Sequence, residues 1–323
     1  MDNNDRISSI IENLKKLYQQ EYGIAVFNID FKNFKSGIEI KGSALTENQR
    51  DHIINAFRKK KIKIRKEDLK ILSDAHARNE IGWVVVKNPI ADLKLRFVSG
   101  KIINQRILKR IRCSQAFKGE ILRVLYKNED QLLVQQNDLT LGWVNRKDVV
   151  LKKKSLYRKW MSGNFAIKGK AVFAKKFHSP RACPVLRYGR TMELTSKIIK
   201  EAEKYLGAKY VLGGKSKKGI DCSGLVQVAY KNSLNIILPK HSWDQKEMGE
   251  KVKLEDVKTG DLIFLIKKEN SHKHVGIVEK NKDINLIHAS IDKRKVIKQS
   301  LEEVFENYDF VEARKIVKER IDK

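Results

Sequence analysis

Hydrophobic spacing switches repeatedly between helical and strand periods along this chain, so one small module cannot be the whole of it. Ile7, Ile10, Ile11, Leu14, Leu17 and Tyr18 recur at helical spacing. From residue 81 to 151 the apolar residues fall into short β runs separated by polar turns, and beyond 192 a helical stripe returns, followed by strands. At 323 residues the chain is about twice the usual single-domain size, so two or three domains are expected.

The first module is placed at residues 1–80. Gly23 is expected to stop the opening helix before a strand-like stretch from Ile24 to Ile29. Gly37 to Lys41 alternates like a second strand. Thr46 and Gln49 form a capping-box pattern ahead of a helix carrying Ile53, Ile54 and Phe57, and further strand patches follow to about residue 72. The order helix, strand, strand, helix, strand is that of a small α+β module.

Residues 81–151 carry runs at Val84 to Val86, Gly119 to Tyr126, Gln131 to Gln135 and Leu141 to Val144. Gly119-Glu120, Leu122 to Leu125, Leu132 to Val134 and Gly142-Trp143-Val144 together resemble the final repeat of bacterial SH3-like domains. The resemblance implies a small β-barrel that binds or frames cell-wall peptide, with Trp143 either in the core or at a ligand. Residues 152–191 are basic and hold Pro180 and Pro184, with weak strand patches at Ala166 to Lys168 and Ala171 to Phe173. They are expected to be a linker or a degenerate second barrel. Ile198, Ile199, Ala202 and Leu206 then mark one face of a helix, stopped by Gly207, that opens a last domain at 192–323.

Lys and Arg number 68 against 39 Asp and Glu, a net charge of +29, so an anionic partner has to be considered. The basic runs at 58–61 and 152–154 are scattered, with no aromatic-interleaved stripe, and dedicated nucleic-acid binding is not expected. Met1 to Asp5 is acidic and polar, without the basic and apolar regions of a Sec signal, and no segment has the apolar length of a membrane span. Cytoplasmic localisation is the expectation, with the cell envelope by non-Sec export as the alternative. Cys113, Cys183 and Cys222 are odd in number and far apart, which argues against a disulfide framework and a four-cysteine metal site.

The chemistry concentrates near Cys222. Gly219-Ile220-Asp221-Cys222-Ser223-Gly224 leads into an apolar run that should be helical, which puts Cys222 at a helix N-terminus. Unpaired amides and the helix dipole there are expected to favour the thiolate and could hold an oxyanion. Downstream, His274 opens one strand and His288 lies on its expected partner. A turn centred near Asn281 puts the two opposite one another on the same face. One imidazole could take the proton from Cys222 while the other orients it.

Gly214 through Asp221-Cys222-Ser223-Gly224-Leu225-Val226-Gln227, then Leu238-Pro239, Ser242 and Gln245, Gly260-Asp261 to Phe264, His274 to Ile277 and Ile287-His288-Ala289 resemble the NlpC/P60 cysteine peptidases, over roughly residues 192 to 317. The resemblance implies an α+β, papain-like catalytic domain. In it Cys222 would be the nucleophile, His274 the general base and His288 the third polar residue. Tyr210 would lie near the oxyanion, and Asp221 and Ser223 would contact substrate. It also implies hydrolysis of bacterial cell-wall (peptidoglycan) peptides at the γ-D-glutamyl–diamino acid bond, without cofactor. Leu212 stands where the family often has tryptophan and Lys240 where it has arginine, departures that bear on specificity. Asp261 reads as a turn residue, and His241 and His272 take no catalytic role. The alternative is a non-catalytic protein that binds cell wall or another anionic polymer. A metal site built from Cys222, His272, His274 and His288 is a remote third reading.

Overall fold

The computed structural model describes residues 3–22, 28–74, 81–95, 97, 111–162, 164–166, 168, 172–173 and 190–318. Gly23 with most of the strand-like stretch after it, Ala171, Pro180, Cys183 and Pro184 lie outside the described residues. The chain forms two compact units, Met1–Trp160 and Met161–Lys323. Among the described residues no helix is long and apolar enough to cross a membrane.

In the first unit, α1 (Asn3–Tyr22) and α2 (Glu47–Lys59) flank β1 (Asn28–Phe34), β2 (Gly37–Ala44) and β3 (Ile64–Ile71) in the expected order. β1 and β2 are an antiparallel hairpin, and β3 returns parallel to β2 after α2. Ile7, Ile10, Ile11, Leu14 and Tyr18 of α1 join Ile53 and Phe57 of α2 over this sheet. Leu17 falls off that stripe and is exposed. Thr46 caps α2 through its Oγ1, which accepts from the Gln49 amide at 3.1 Å. The reciprocal bond runs from the Leu45 amide to the Gln49 side chain, one residue earlier than in the usual capping box.

Seven strands follow: β4 (Gly82–Val86), β5 (Ile90–Lys94), β6 (Arg112–Phe117), β7 (Ile121–Lys127), β8 (Gln131–Gln135), β9 (Leu141–Asn145) and β10 (Val149–Lys152). Their order is β10-β4-β7-β8-β9-β5-β6. All seven give residues to one apolar cluster, from Val84 to Val149, so the sheet wraps its core. The expected SH3-like barrel is not shown, because the sheet does not close. Its end strands β10 and β6 are unpaired with each other among the described residues, and β5 meets β9 only at Lys94↔Trp143. Trp143 is core: it is buried with Leu125 and Leu133, edge-on to Phe97, and Leu45 and Leu72, the residues that follow β2 and β3, pack on the same cluster. Arg123 Nη1 donates to the Asp74 carbonyl at 2.7 Å and Gln135 Nε2 to the Ser73 carbonyl at 2.6 Å, joining the two sheets by polar bonds as well.

The second unit opens with short pieces near the two expected strand patches. Asn164–Phe165 pairs parallel with Ile236–Ile237, and Val172–Phe173 with Val317–Lys318. Helices α3 (Arg190–Glu203) and α4 (Cys222–Leu234) then pack together. Leu206, expected on the face of α3, lies beyond its end and is exposed. The chain there tightens into bonds from Tyr205 to Ala202 and from Leu206 to Glu203, which turn the side chain off the stripe.

The sheet comprises β11 (Glu250–Val252), β12 (Leu262–Lys267), β13 (Lys273–Lys280), β14 (Ile284–Ser290), β15 (Lys295–Ser300) and β16 (Tyr308–Lys315). It is antiparallel throughout, in the order β11-β16-β12-β13-β14-β15. The alternation of β strands divides its core cleanly. Leu262, Phe264, Val275, Ile277, Ile287 and Ala289 meet α3 and α4 on one face. Ile263, Leu265, Val278 and Leu286 pack on the other with Tyr308 and with α5 (Leu301–Asn307). The unit is α+β, as the resemblance implies.

Candidate active site

Helix α4 is apolar nearly all round, and it is buried accordingly. Asp221 is its N-cap: Oδ1 accepts from the Gly224 amide at 2.6 Å and from Ser223 Oγ at 3.0 Å, while Oδ2 accepts from the Gly213 amide at 2.6 Å. Both oxygens of the carboxylate are thus engaged in holding the 213–224 loop on the helix start. That loop comes so close that a Cβ at position 224 would run into the Gly214 carbonyl oxygen. Gln245, fully buried, ties the same turn from the other side, its Nε2 donating to the Ser223 carbonyl at 3.1 Å and the Pro239 carbonyl at 2.8 Å.

Cys222 is thereby fixed as the first residue of α4 and is 6% exposed. Backbone N–H groups of Ser223, Val275 and Cys222 itself favour its thiolate, and burial and the Asp221 charge oppose it. Burial wins, and the thiol is pushed up to about 12. The helix-start amides act in the expected direction, but burial outweighs them and the thiol stays neutral. The Val275 contact places the sulfur against β13, one residue from His274.

His274 and His288 are both buried, and His274 Nε2 lies 2.8 Å from His288 Nδ1. They are neighbours on one face, as expected, but not directly opposite. The ladder pairs Ile277 with Ile287 and Lys280 with Ile284, and its continuation sets Gly276 beside His288. A Cβ on Gly276 would lie 3.3 Å from that of His288. The turn is therefore centred one residue later than expected. The register moves by two, which preserves the face and makes the histidines diagonal neighbours.

His288 Nε2 makes a further bond to Gln299 Oε1 at 3.2 Å, while His274 Nδ1 has no hydrogen-bond partner among the described residues. Burial, with His288 and His272 nearby, holds His274 well below the usual histidine range. Burial also brings His288 down to about 4, against the Gln299 bond and the Asp292 charge. Both imidazoles are neutral at neutral pH. The Tyr308 ring lies against His274, with centroids 5.1 Å apart, and its hydroxyl donates to Asp292 Oδ2 at 3.0 Å. Lys267 bonds the same carboxylate.

Tyr210 is half-buried near the sulfur, its phenol raised by burial and then by the Cys222 and Asp221 charges. Ser223 sits in the first turn of α4, its hydroxyl on Asp221. His241 is exposed beside Lys240, and His272 lies in the loop before β13. Among the described residues no group of three or more His, Cys, Asp or Glu side chains is arranged to hold a metal ion. Asp261 accepts from the Lys258 amide at 2.9 Å in the turn before β12, as a turn residue should. Gln299, Tyr308 and Asp292 were not foreseen. Carrying the hairpin count one strand further, from β14 to β15, was the signal that could have found Gln299.

The fold and site define an α+β domain in which a cysteine-bearing helix packs on an antiparallel sheet that carries a histidine pair. Residues 207–315 match the NlpC/P60 family, and the chain carries an NlpC/P60 family domain over that span. The murein DD-endopeptidase MepS/murein LD-carboxypeptidase of Escherichia coli (strain K12) is 34% identical over 128 residues, which is 40% of this chain and 66% of that relative. The gamma-D-glutamyl-L-lysine dipeptidyl-peptidase of Bacillus subtilis (strain 168) is 34% identical over 117 residues, 35% of this chain and 38% of the relative. Among solved structures, the NlpC/p60 domain of peptidoglycan hydrolase SagA is 30% identical, over 38% of this chain and 97% of that one, with a TM-score of 0.32.

Proposed function

We propose that this protein is a cysteine endopeptidase that hydrolyses peptidoglycan peptides at the γ-D-glutamyl–diamino acid bond. The observation that carries the reading is the buried His274–His288 pair at 2.8 Å, with His274 Nδ1 unpartnered among the described residues, in a domain whose Cys222 meets β13, the strand of His274. Relatives named as a murein endopeptidase and a γ-D-glutamyl peptidase support the substrate class.

Because thiol and imidazole are both neutral, His274 acts as a general base during attack rather than as half of a preformed ion pair. The Cys222 proton passes to His274 Nδ1 as the sulfur adds to the glutamyl carbonyl carbon. The resulting oxyanion is held by the amides at the start of α4 and by Tyr210. The C–N bond then breaks as His274 returns the proton to the leaving amine. Water, deprotonated by the same nitrogen, hydrolyses the thioester, releases the glutamyl carboxylate and restores the thiol. Asp221 and Ser223 shape the substrate side of the helix start.

The test is mass spectrometry of a free L-Ala-γ-D-Glu-diaminopimelate peptide and of intact peptidoglycan, each incubated with wild type and with Cys222→Ala. Cleavage after glutamate by wild type only is expected. Cleavage of the free peptide with the polymer untouched would favour cytoplasmic turnover of wall peptides. Polymer cleavage would favour the envelope. No Cys222-dependent product from either would sink the reading and leave a wall-binding protein.

A further inference from the structure

The two histidine contacts continue into a third strand. In the β14–β15 ladder His288 faces Ile297 and Leu286 faces Gln299, so Gln299 stands two residues from the partner of His288, on the same face. The side chains of His274, His288 and Gln299 thus run diagonally over three neighbouring strands, linked at 2.8 Å and 3.2 Å. The contact of His288 Nε2 is to an amide oxygen, which can only accept. His288 must therefore carry its proton on Nε2, and a neutral His288 then offers a lone pair at Nδ1. The 2.8 Å contact next requires a proton on His274 Nε2, and a neutral His274 keeps its own lone pair on Nδ1, the nitrogen that has no partner among the described residues.

We propose that Gln299 is a positioning residue that fixes the tautomers of both histidines and so leaves the basic lone pair on His274 Nδ1. The proposal rests on the peptidase reading for its purpose, although the tautomers themselves can be observed without substrate. With the opposite tautomer, His288 would donate from Nδ1 and His274 Nδ1 would hold a proton, leaving nothing there to accept the one from the Cys222 thiol. A carboxamide can do this while staying uncharged in a buried pair, where a carboxylate would draw a second proton onto the imidazoles.

The experiment uses the full chain with 15N-labelled histidine, read by long-range 1H–15N NMR, together with kcat and KM on the free peptide. In wild type at neutral pH both histidines are expected as Nε2–H tautomers. Gln299→Met, of similar length and without an acceptor, should release the His288 Nε2–H preference and lower kcat about tenfold with KM unchanged, the worth of one hydrogen bond. Gln299→Glu should restore the tautomers and most of kcat, and it should also shift the acid limb of the pH profile. The added carboxylate favours the protonated imidazoles, so activity is lost at a higher pH than in wild type. The titratable groups that share this environment are His272, Cys222, Asp292 and Tyr308, and all are unchanged in both variants.

A wild-type spectrum with His288 protonated on Nδ1 would overturn the proposal. So would a Gln299→Met protein with unchanged tautomers and kcat. Should Gln299→Met fail to fold, an unshifted acid limb in Gln299→Glu would overturn it equally. Wild-type Nε2–H tautomers lost in Gln299→Met, without any Cys222-dependent cleavage, would uphold the tautomer assignment and remove the peptidase reading instead.

Discussion

Cys113 in the first unit and Cys222 in the second are both deeply buried, at 3% and 6% exposure, yet their hydrogen-bonding surroundings differ in direction. Cys113 lies within β6 and its Sγ donates to the Leu141 carbonyl at 3.5 Å, in a cluster of Val, Leu and Ala side chains. Its bond requires the proton to stay on sulfur. Cys222 has backbone N–H groups directed at it from α4 and β13, and the strand that it touches carries His274, which is paired with His288 of β14. Its bonds favour the proton's departure once a base and a substrate draw it away. Depth of burial does not separate the two thiols. The direction of the hydrogen bonds around the sulfur does.

The largest expected effect of this difference is on turnover. Cys222→Ala should lower kcat by about 10⁴-fold or more, as loss of a nucleophile does, and Cys113→Ala should leave it unchanged. Comparable losses in both variants, measured on the same peptide, would break the comparison. His288→Ala, which removes the partner of His274, is expected to reduce kcat about 10²-fold with little change in KM. A loss confined to KM would contradict a role beside the base.

Acid stability should sharpen the contrast. His288 is near 6.5 in the unfolded chain and about 4 in the fold. Between those values the unfolded chain binds the proton that the fold refuses. Stability is therefore complete above pH 6.5 and falls as pH drops toward 4, by roughly 3 kcal/mol from this group. His288→Gln should flatten that part of a urea-unfolding series, and a series with unchanged slope would reject the buried neutral imidazole. The smallest effect is on packing. Cys113→Ala should cost about 1 kcal/mol of stability, read from the same unfolding curves, and a stabilised variant would show that the Cys113 contacts are strained.

The elements that periodicity describes well were legible in the sequence: α1, α2, α4 and the strands β8 and β13. Thr46 and Gln49 marked the start of α2 correctly because capping is local chemistry. Strands β5, β6 and β10 were missed, since Ile90–Lys94 and Arg112–Phe117 bury polar and charged side chains such as Lys94, Ser114 and Gln115. A polar residue satisfied by a distant partner, as Lys94 is by Asn145 at 2.7 Å, erases the alternation that identifies a strand. At the site, the face shared by His274 and His288 was legible because a register error of two leaves it unchanged. The neutral state of Cys222 was not, because it depends on how much of the fold covers the helix start. Asp292 and Tyr308 stayed hidden as well, since neither stands at a spacing that links it to the histidines.

The measurement that bears most directly on the central claim is intact-protein mass spectrometry of the wild type, acid-quenched during turnover of the L-Ala-γ-D-Glu-diaminopimelate peptide, followed by peptide mapping. The account predicts an L-Ala-γ-D-Glu acyl adduct on the Cys222 sulfur and none on Cys113. Product formed with no adduct on Cys222 under conditions that trap a thioester, or an adduct mapped to another residue, would contradict it.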